Sequence, residues 1–200
     1  MKEIDIYDFD KTLVPYDSGS KFILYCVLHY PWCVVFMPFI GILGALSLSG
    51  IMSWTQFKKF CFSFMTVIPR KKAVKGFWDK HEEDVFPWLK DRPRTAVVIS
   101  ASPDFLLKEL QNRIGFEKLI CSEHNPKTGA IIGKNCARQE KVARFEKEFA
   151  NEDVRVVDVY SDSLENDRPI FSLSTNKCYQ VINGKKREFI YSKQFKEEDK

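Results

Sequence analysis

Two carboxylates separated by one residue, in Asp8-Phe9-Asp10-Lys11-Thr12-Leu13, are the first side chains along this sequence whose types and spacing can do chemistry. On an extended segment both would point the same way; where the chain turns at Phe9, the second can face a reacting group bound to the first. One then attacks and the other handles protons. A bare pair of this kind is more often an acidic strand-to-loop turn, and the following threonine and apolar residue make the string far more specific.

Three later places can serve the same chemistry. Ser100 ends the run Thr-Ala-Val-Val-Ile-Ser and offers a hydroxyl, and the backbone N–H groups from Ala101 onward would suit phosphate oxygens. Taken alone, Ser102-Pro103-Asp104 reads as an N-cap residue with proline at the first helical position. Lys141 carries an ammonium able to balance a phosphate and a carboxylate, or else is an ordinary helix-surface lysine. In Tyr160-Ser161-Asp162-Ser163-Leu164-Glu165-Asn166-Asp167, hard oxygen ligands from Asp162, with Asp8 and a backbone carbonyl, would suit Mg²⁺.

The elements that must position these groups follow from the apolar pattern. Residues 2–9 alternate as a short strand. Residues 95–100 form a continuous apolar run, as in a strand buried on both faces, and a helix follows up to Gly115. The pattern predicts strands at 118–122, 154–160 and, last, 177–182. It predicts a hairpin or loop at 125–133, an amphipathic helix at 137–150 and a short helix at 169–173. Between the first two strands, 53–67 and 70–89 have helical spacing. Alternating strand and helix implies an α/β, Rossmann-like parallel sheet with helices on both faces, whose working site lies beyond the carboxyl ends of its strands.

In this order, Asp-x-Asp-x-Thr, serine, lysine and a final acidic pair resemble the haloacid-dehalogenase-like hydrolase superfamily over nearly the whole chain. Asn135-Cys136 ahead of Lys141-Val142, and Tyr160-Ser161-Asp162-Ser163 near Pro169, are similar to its phosphoserine-phosphatase-like branch. The resemblance implies a catalytic core of residues 1–16 and 91–192, an inserted helical cap of 17–90 and a charged tail of 193–200. It implies Asp8 as the nucleophile that forms an aspartyl-phosphate, and Asp10 as general acid and then base. Ser100, Ala101 and Lys141 would hold the phosphoryl group, and Asp8, Asp10, Asp162 and Asp167 would form the Mg²⁺ site, with Asp167 in its outer shell. Three departures stand out: Lys11 replaces the commoner glycine, four residues separate Asp162 from Asp167, and residues 17–22 lack the glutamate that a phosphoserine phosphatase offers to its substrate's amino group.

Charge is divided unevenly. The chain has 31 Lys and Arg against 27 Asp and Glu, yet the 36 residues from Phe22 to Phe57 carry none of them. Between Asp17 and Asp79 there is no carboxylate but there are seven basic residues: Lys21, Lys58, Lys59, Arg70, Lys71, Lys72 and Lys75. Basic charge around an apolar stretch, without interleaved aromatics, excludes a nucleic-acid partner and points to an anionic membrane surface. The apolar run starts only after the acidic motif, so a cleaved signal is excluded. Because the first strand precedes this run and the sheet follows it, both ends lie on one side of any bilayer. One crossing is therefore impossible, and two need more residues than the run supplies.

The expectation is a shallow helical hairpin broken near Pro31 or Pro38, peripheral to or monotopic in the cytoplasmic face of the cell membrane, on an enzyme taking a lipid phosphate such as phosphatidylglycerophosphate. The alternative is a soluble phosphatase of small cytosolic phosphate monoesters whose apolar cap forms a homodimer; Gly41, Gly44, Ser47, Ser49 and Gly50 suit such packing. The six cysteines, with no Cys-x-x-Cys pair, read as reduced structural filler, and His29 as interfacial or packed rather than ligating.

Overall fold

A computed structural model describes residues 1–195; of the tail expected at 193–200, residues 196–200 lie outside the described residues. Six strands form one sheet: β1 (Lys2–Tyr7), β2 (Thr95–Pro103), β3 (Lys118–Ser122), β4 (Val154–Ser161), β5 (Lys177–Ile182) and β6 (Lys185–Phe189), in the spatial order β3-β2-β1-β4-β5-β6. All neighbours pair in parallel except β5 with β6, which pair antiparallel. The sixth strand was not expected. Its Lys-Lys-Arg-Glu-Phe sequence has neither the apolar run nor the alternation that signals a strand, and it forms by pairing back across the tight turn at Asn183-Gly184.

The period of two along the strands divides the core. Ile4, Ile6, Val97, Ile99 and Val159 face one cluster, with Val142 and Phe145 of α6 (Gln139–Glu148) and Ile170 and Phe171 of α7 (Arg168–Phe171). Tyr7, Ala96, Val98 and Tyr160 face the other, with Leu106, Leu107 and Leu110 of α5 (Asp104–Ile114) and much of the segment joining β1 to β2. Helices therefore cover both faces of a mostly parallel sheet, as the sequence pattern implies. Helix α5 stops where expected, because Gly115 adopts φ +70 and its N–H returns to Gln111 O.

Everything from Ser18 to Leu89 falls between β1 and β2: α1 (Ser18–His29), α2 (Met37–Leu48), α3 (Trp54–Lys58) and α4 (Arg70–His81), with 3₁₀ turns at Pro31–Phe36, Ser63–Val67, Glu82–Asp84 and Pro87–Leu89. The single helices expected over 53–67 and 70–89 are both broken. Ser53 starts the first with a reciprocal capping box to Gln56. It ends at Lys58, beyond which Phe62 packs edge-on against Phe105 and His124 and so draws the chain onto the core. The second ends at His81, and at Phe86 the backbone N–H instead bonds Leu13 O, just ahead of Pro87.

Other boundaries shift less. Ser102 does not cap a helix: β2 runs on to Pro103, and α5 opens at Asp104 with Pro103 as its N-cap. The start of the expected charged tail is helical in α8 (Tyr191–Gln194), with Phe195 against Phe189 and under the Arg168 guanidinium. All six cysteines are free and buried, and His29 is exposed, stacked on the Tyr25 ring with its Nδ1 2.8 Å from Tyr25 O.

Candidate active site

The site is assembled at the carboxyl ends of β1, β2 and β4. Just past β1, the Asp8 N–H donates to Tyr160 O of β4 (2.9 Å), and the chain then turns at Phe9, whose carbonyl accepts from Leu13 N (2.8 Å). Lys11 sits inside this turn with φ +58. The Asp8 carboxylate is buried and gripped at both oxygens: Lys141 Nζ donates to Oδ1 (2.7 Å) and Thr12 Oγ1 to Oδ2 (3.2 Å). Thr12 Oγ1 in turn accepts from Asp162 N (2.9 Å), which ties the first motif to the loop after β4.

Lys141 lies in the first turn of α6 and is only 3% exposed. Its ammonium is shared between Asp8 Oδ1 and Asp167 Oδ1, each at 2.7 Å. A buried ammonium costs several kcal/mol in lost hydration, and two carboxylates in contact offset it. Burial works against the charged lysine, but Asp8 and Asp167 outweigh it and hold its pKa above the ordinary range. Burial pushes the Asp8 carboxyl up against the pull of Lys141, and burial followed by the Asp167 charge pushes Asp162 up.

Asp10 points elsewhere. Its Oδ1 accepts from the Ser18 N–H at the start of α1 (2.8 Å), and its Oδ2 from Ser102 Oγ (2.5 Å). Burial, then the neighbouring Asp17 charge, raises the pKa of Asp10, while Ser102 and Ser18 pull it back. Ser102 can reach Asp10 because β2 bulges. Ser100 pairs with Cys121 of β3 and Pro103 with Ser122, so Ala101 and Ser102 are out of the ladder, and Ser102 N donates to Ser100 Oγ (3.0 Å).

Asp8, Asp162 and Asp167 each bring a carboxylate oxygen to within 4.8 Å of the other two. Three acids with one ammonium in direct contact leave excess negative charge in a place with little water, and an all-oxygen donor set fits a hard divalent ion. These residues are fit to hold Mg²⁺. The Asp10 carboxylate is outside that cluster, turned to Ser18 and Ser102.

A cleft of about 880 Å³ opens over these groups, with Asp8, Asp10, Ser100, Lys141 and Asp162 in its wall and Trp54 of α3 at its edge. Sequence reasoning missed one prominent member. Lys58, the last residue of α3, sends its ammonium between Ala101 O and Asn135 Oδ1, 3.1 Å from each. Burial lowers its pKa, against the pull of Asp10 and Asp17. The available signal was its place as the first charged residue after the apolar run. Asn135, which also accepts from Ser122 Oγ (3.0 Å), had no local signal of this role.

Fold and site define an α/β hydrolase core with a carboxylate poised at the end of its central strand. The chain belongs to the haloacid dehalogenase-like hydrolase family, whose profile matches residues 6–172. In fold it resembles a crystal structure of a protein of unknown function from Bordetella pertussis Tohama I, with TM-score 0.71 and 20% identity over 85% of this chain and 86% of that one. A phosphoserine phosphohydrolase-like protein from Francisella tularensis subsp. tularensis SCHU S4 gives TM-score 0.57 and 17% identity over 89% and 86%. A phospho-aspartyl intermediate analogue of phosphoserine phosphatase gives 0.56 and 18% over 86% and 83%. No curated protein sequence matches.

Proposed function

We propose that this protein is a Mg²⁺-dependent phosphomonoesterase that works through an aspartyl-phosphate on Asp8 and takes a lipid phosphate such as phosphatidylglycerophosphate. The observation that carries the chemistry is the grip on Asp8, which Lys141 and Thr12 hold at one oxygen each within reach of the cleft. An Asp8 oxygen attacks phosphorus, and the bond to the substrate's alcohol oxygen breaks as Asp10 delivers its proton there. Water then attacks the phosphoryl group, Asp10 takes the water's proton, and the bond to Asp8 breaks to release inorganic phosphate. The raised pKa of Asp10 suits the acid half of that cycle. Mg²⁺ held by Asp8 and Asp162, with Asp167 beside them, would neutralise charge on the phosphoryl oxygens. Lys141, Ser100 Oγ and the bulged backbone at Ala101 supply the remaining polar contacts.

The lipid reading rests on the connection between β1 and β2. The helical run Pro31–Leu48 is 18 residues long and apolar enough to cross a bilayer by length and composition. Only Cys33, Ile40 and Ser47 are buried in it, spaced by seven, so one narrow stripe packs on the protein. Val35, Ile42 and Leu48 are 76%, 61% and 77% exposed, and Leu24, Leu28, Ile51 and Trp54 widen the patch. A second copy docking here by two-fold symmetry would set this carboxylate-poor, basic surface against itself, whereas anionic lipid complements it. The protein then sits on the cytoplasmic face of the cell membrane, peripheral or monotopic. The sequence is also similar to bacterial phosphatidylglycerophosphatase C in having an apolar stretch in the cap.

A phosphate-release panel in Mg²⁺ tests both parts, comparing lipid phosphates in mixed micelles with phosphoserine and sugar phosphates. Preference for lipid phosphate is expected. Preference for the water-soluble esters, with a dimer in solution, would replace the lipid reading with the soluble alternative and leave the Asp8 chemistry standing.

A further inference from the structure

Away from the catalytic cleft, a second cavity of about 440 Å³ lies between α1 and α4, lined by Tyr25, His29, Tyr30, Lys72, Lys75 and Gly76. Its wall is built rather than incidental. Tyr25 is 9% exposed and lies against the backbone of α4 so closely that a Cβ at Gly76 would come within 2.5 Å of its hydroxyl. That hydroxyl has no hydrogen-bond partner among the described residues and opens onto the cavity, where it is free to donate to a ligand. His29 stacks on the Tyr25 ring at 4.0 Å and gives its Nδ1 hydrogen to Tyr25 O, so its Nε2 accepts from Lys80 Nζ (2.9 Å) and fixes that ammonium near the Tyr25 ring.

The charge around this cavity is positive. Asp79 is the one carboxylate in its wall and is paired with Lys75 (2.9 Å); Arg113 is shared among Asp79, Glu82 and Glu109, and Lys72 and Lys80 have no carboxylate partner among the described residues. The position is equally telling. Tyr30 ends α1 immediately before Pro31, where the exposed apolar run begins, and its ring meets Trp32 edge-on at 5.6 Å. At the far end of the same run, Phe57 packs on Gly44 and Trp54 lines the catalytic cleft. The two cavities thus lie at opposite ends of the exposed apolar run. Tyrosines with an apolar body and a polar tip, beside lysines, are the side chains that suit the headgroup layer.

We propose that the cavity between α1 and α4 binds the phosphodiester headgroup of an anionic phospholipid in the bilayer, as a docking site separate from the substrate phosphate site. The inference rests on the membrane-associated reading of the apolar run. Lys72 meets the phosphate oxygens, Lys75 adds a further contact from its pair with Asp79, the Tyr25 hydroxyl donates the hydrogen bond it lacks within the protein, and the run from Pro31 enters the same leaflet. With this end fixed, the helix lies along the surface and the mouth of the catalytic cleft faces lipid.

The test is co-sedimentation of the full chain with vesicles of phosphatidylcholine, alone or doped with phosphatidylglycerol. Wild type should favour the doped vesicles by about 100-fold, and Lys72→Gln with Lys75→Gln should lose roughly 25-fold of that preference while still melting as a folded protein. Tyr25→Phe changes no charge, so diffuse attraction does not move it; it should lose about fivefold on doped vesicles and nothing on phosphatidylcholine. Wild-type binding by Tyr25→Phe, or a loss no greater in the cavity pair than in Lys59→Gln with Lys71→Gln, would overturn the site. Absence of vesicle binding by wild type would overturn the site together with the membrane reading. Failure to hydrolyse lipid phosphate with selective vesicle binding intact would strike only the substrate assignment and support the docking site.

Discussion

The floor of the catalytic cleft and the apolar cap solve opposite problems of solvation. In the floor, ionisable groups are buried and each has a partner: Asp8 has Lys141 and Thr12, Asp167 has Lys141 and Ser161, and Asp10 has Ser18 and Ser102. In the cap, apolar side chains stand in the open with none of the described residues over them, as at Val35, Ile42 and Leu48. The floor meets its buried acids with hydrogen bonds and one shared ammonium from this chain, and the cap leaves its apolar surface uncovered by the described residues. Buried polar groups with partners in one half and exposed apolar surface in the other are opposite answers to the same cost of removing groups from water.

The largest break in that comparison is Asp8→Asn, expected to reduce phosphate release by about 10⁴-fold or more while the cap still binds vesicles; single-turnover phosphate release measures it. Chelation of divalent metal should likewise bring release to background, and Mg²⁺ should restore it. Removing the shared cation with Lys141→Met leaves Asp8 and Asp167 facing each other, and urea unfolding should show a loss of about 3–5 kcal/mol. Lys58→Ala sharpens the border between the two regions, because this side chain belongs to the cap and ends in the cleft; kcat/KM should fall roughly tenfold.

The smallest effect is on pH. Burial raises the Asp104 carboxyl, but His124 and Lys108 outweigh it and hold its pKa at about 2, below the ordinary 3.8. Its stabilising contribution is complete above pH 3.8 and is lost as pH falls towards 2. Asp104→Asn should therefore melt below wild type near pH 6, and thermal scans should show the gap closing through that acid window.

Reading the sequence placed the acids because a parallel sheet exposes its working groups at strand ends, and runs such as 95–100 mark those ends locally. It missed what depends on distant partners. Ser102 reads as a helix cap until β2 is seen to bulge and turn its hydroxyl onto Asp10, 92 positions away. Lys58 is invisible as a cleft residue until Asn135, 77 positions on, is beside it. Strand β6 has no apolar periodicity to betray it, since its strand state comes from pairing with β5 at an exposed edge. Local patterns carry burial and turns, and hydrogen bonds between remote segments leave no periodic mark.

The placement of β1 has a temporal consequence. This strand lies between β2 and β4, yet 87 residues intervene before β2 begins and 146 before β4 does. During synthesis the acidic motif emerges early and can acquire neither neighbour until long afterwards, and the apolar run emerges between them. With the cap docked on lipid as proposed, it would reach that surface before the sheet exists, and the central strand would close, bringing Lys141 to Asp8, only afterwards.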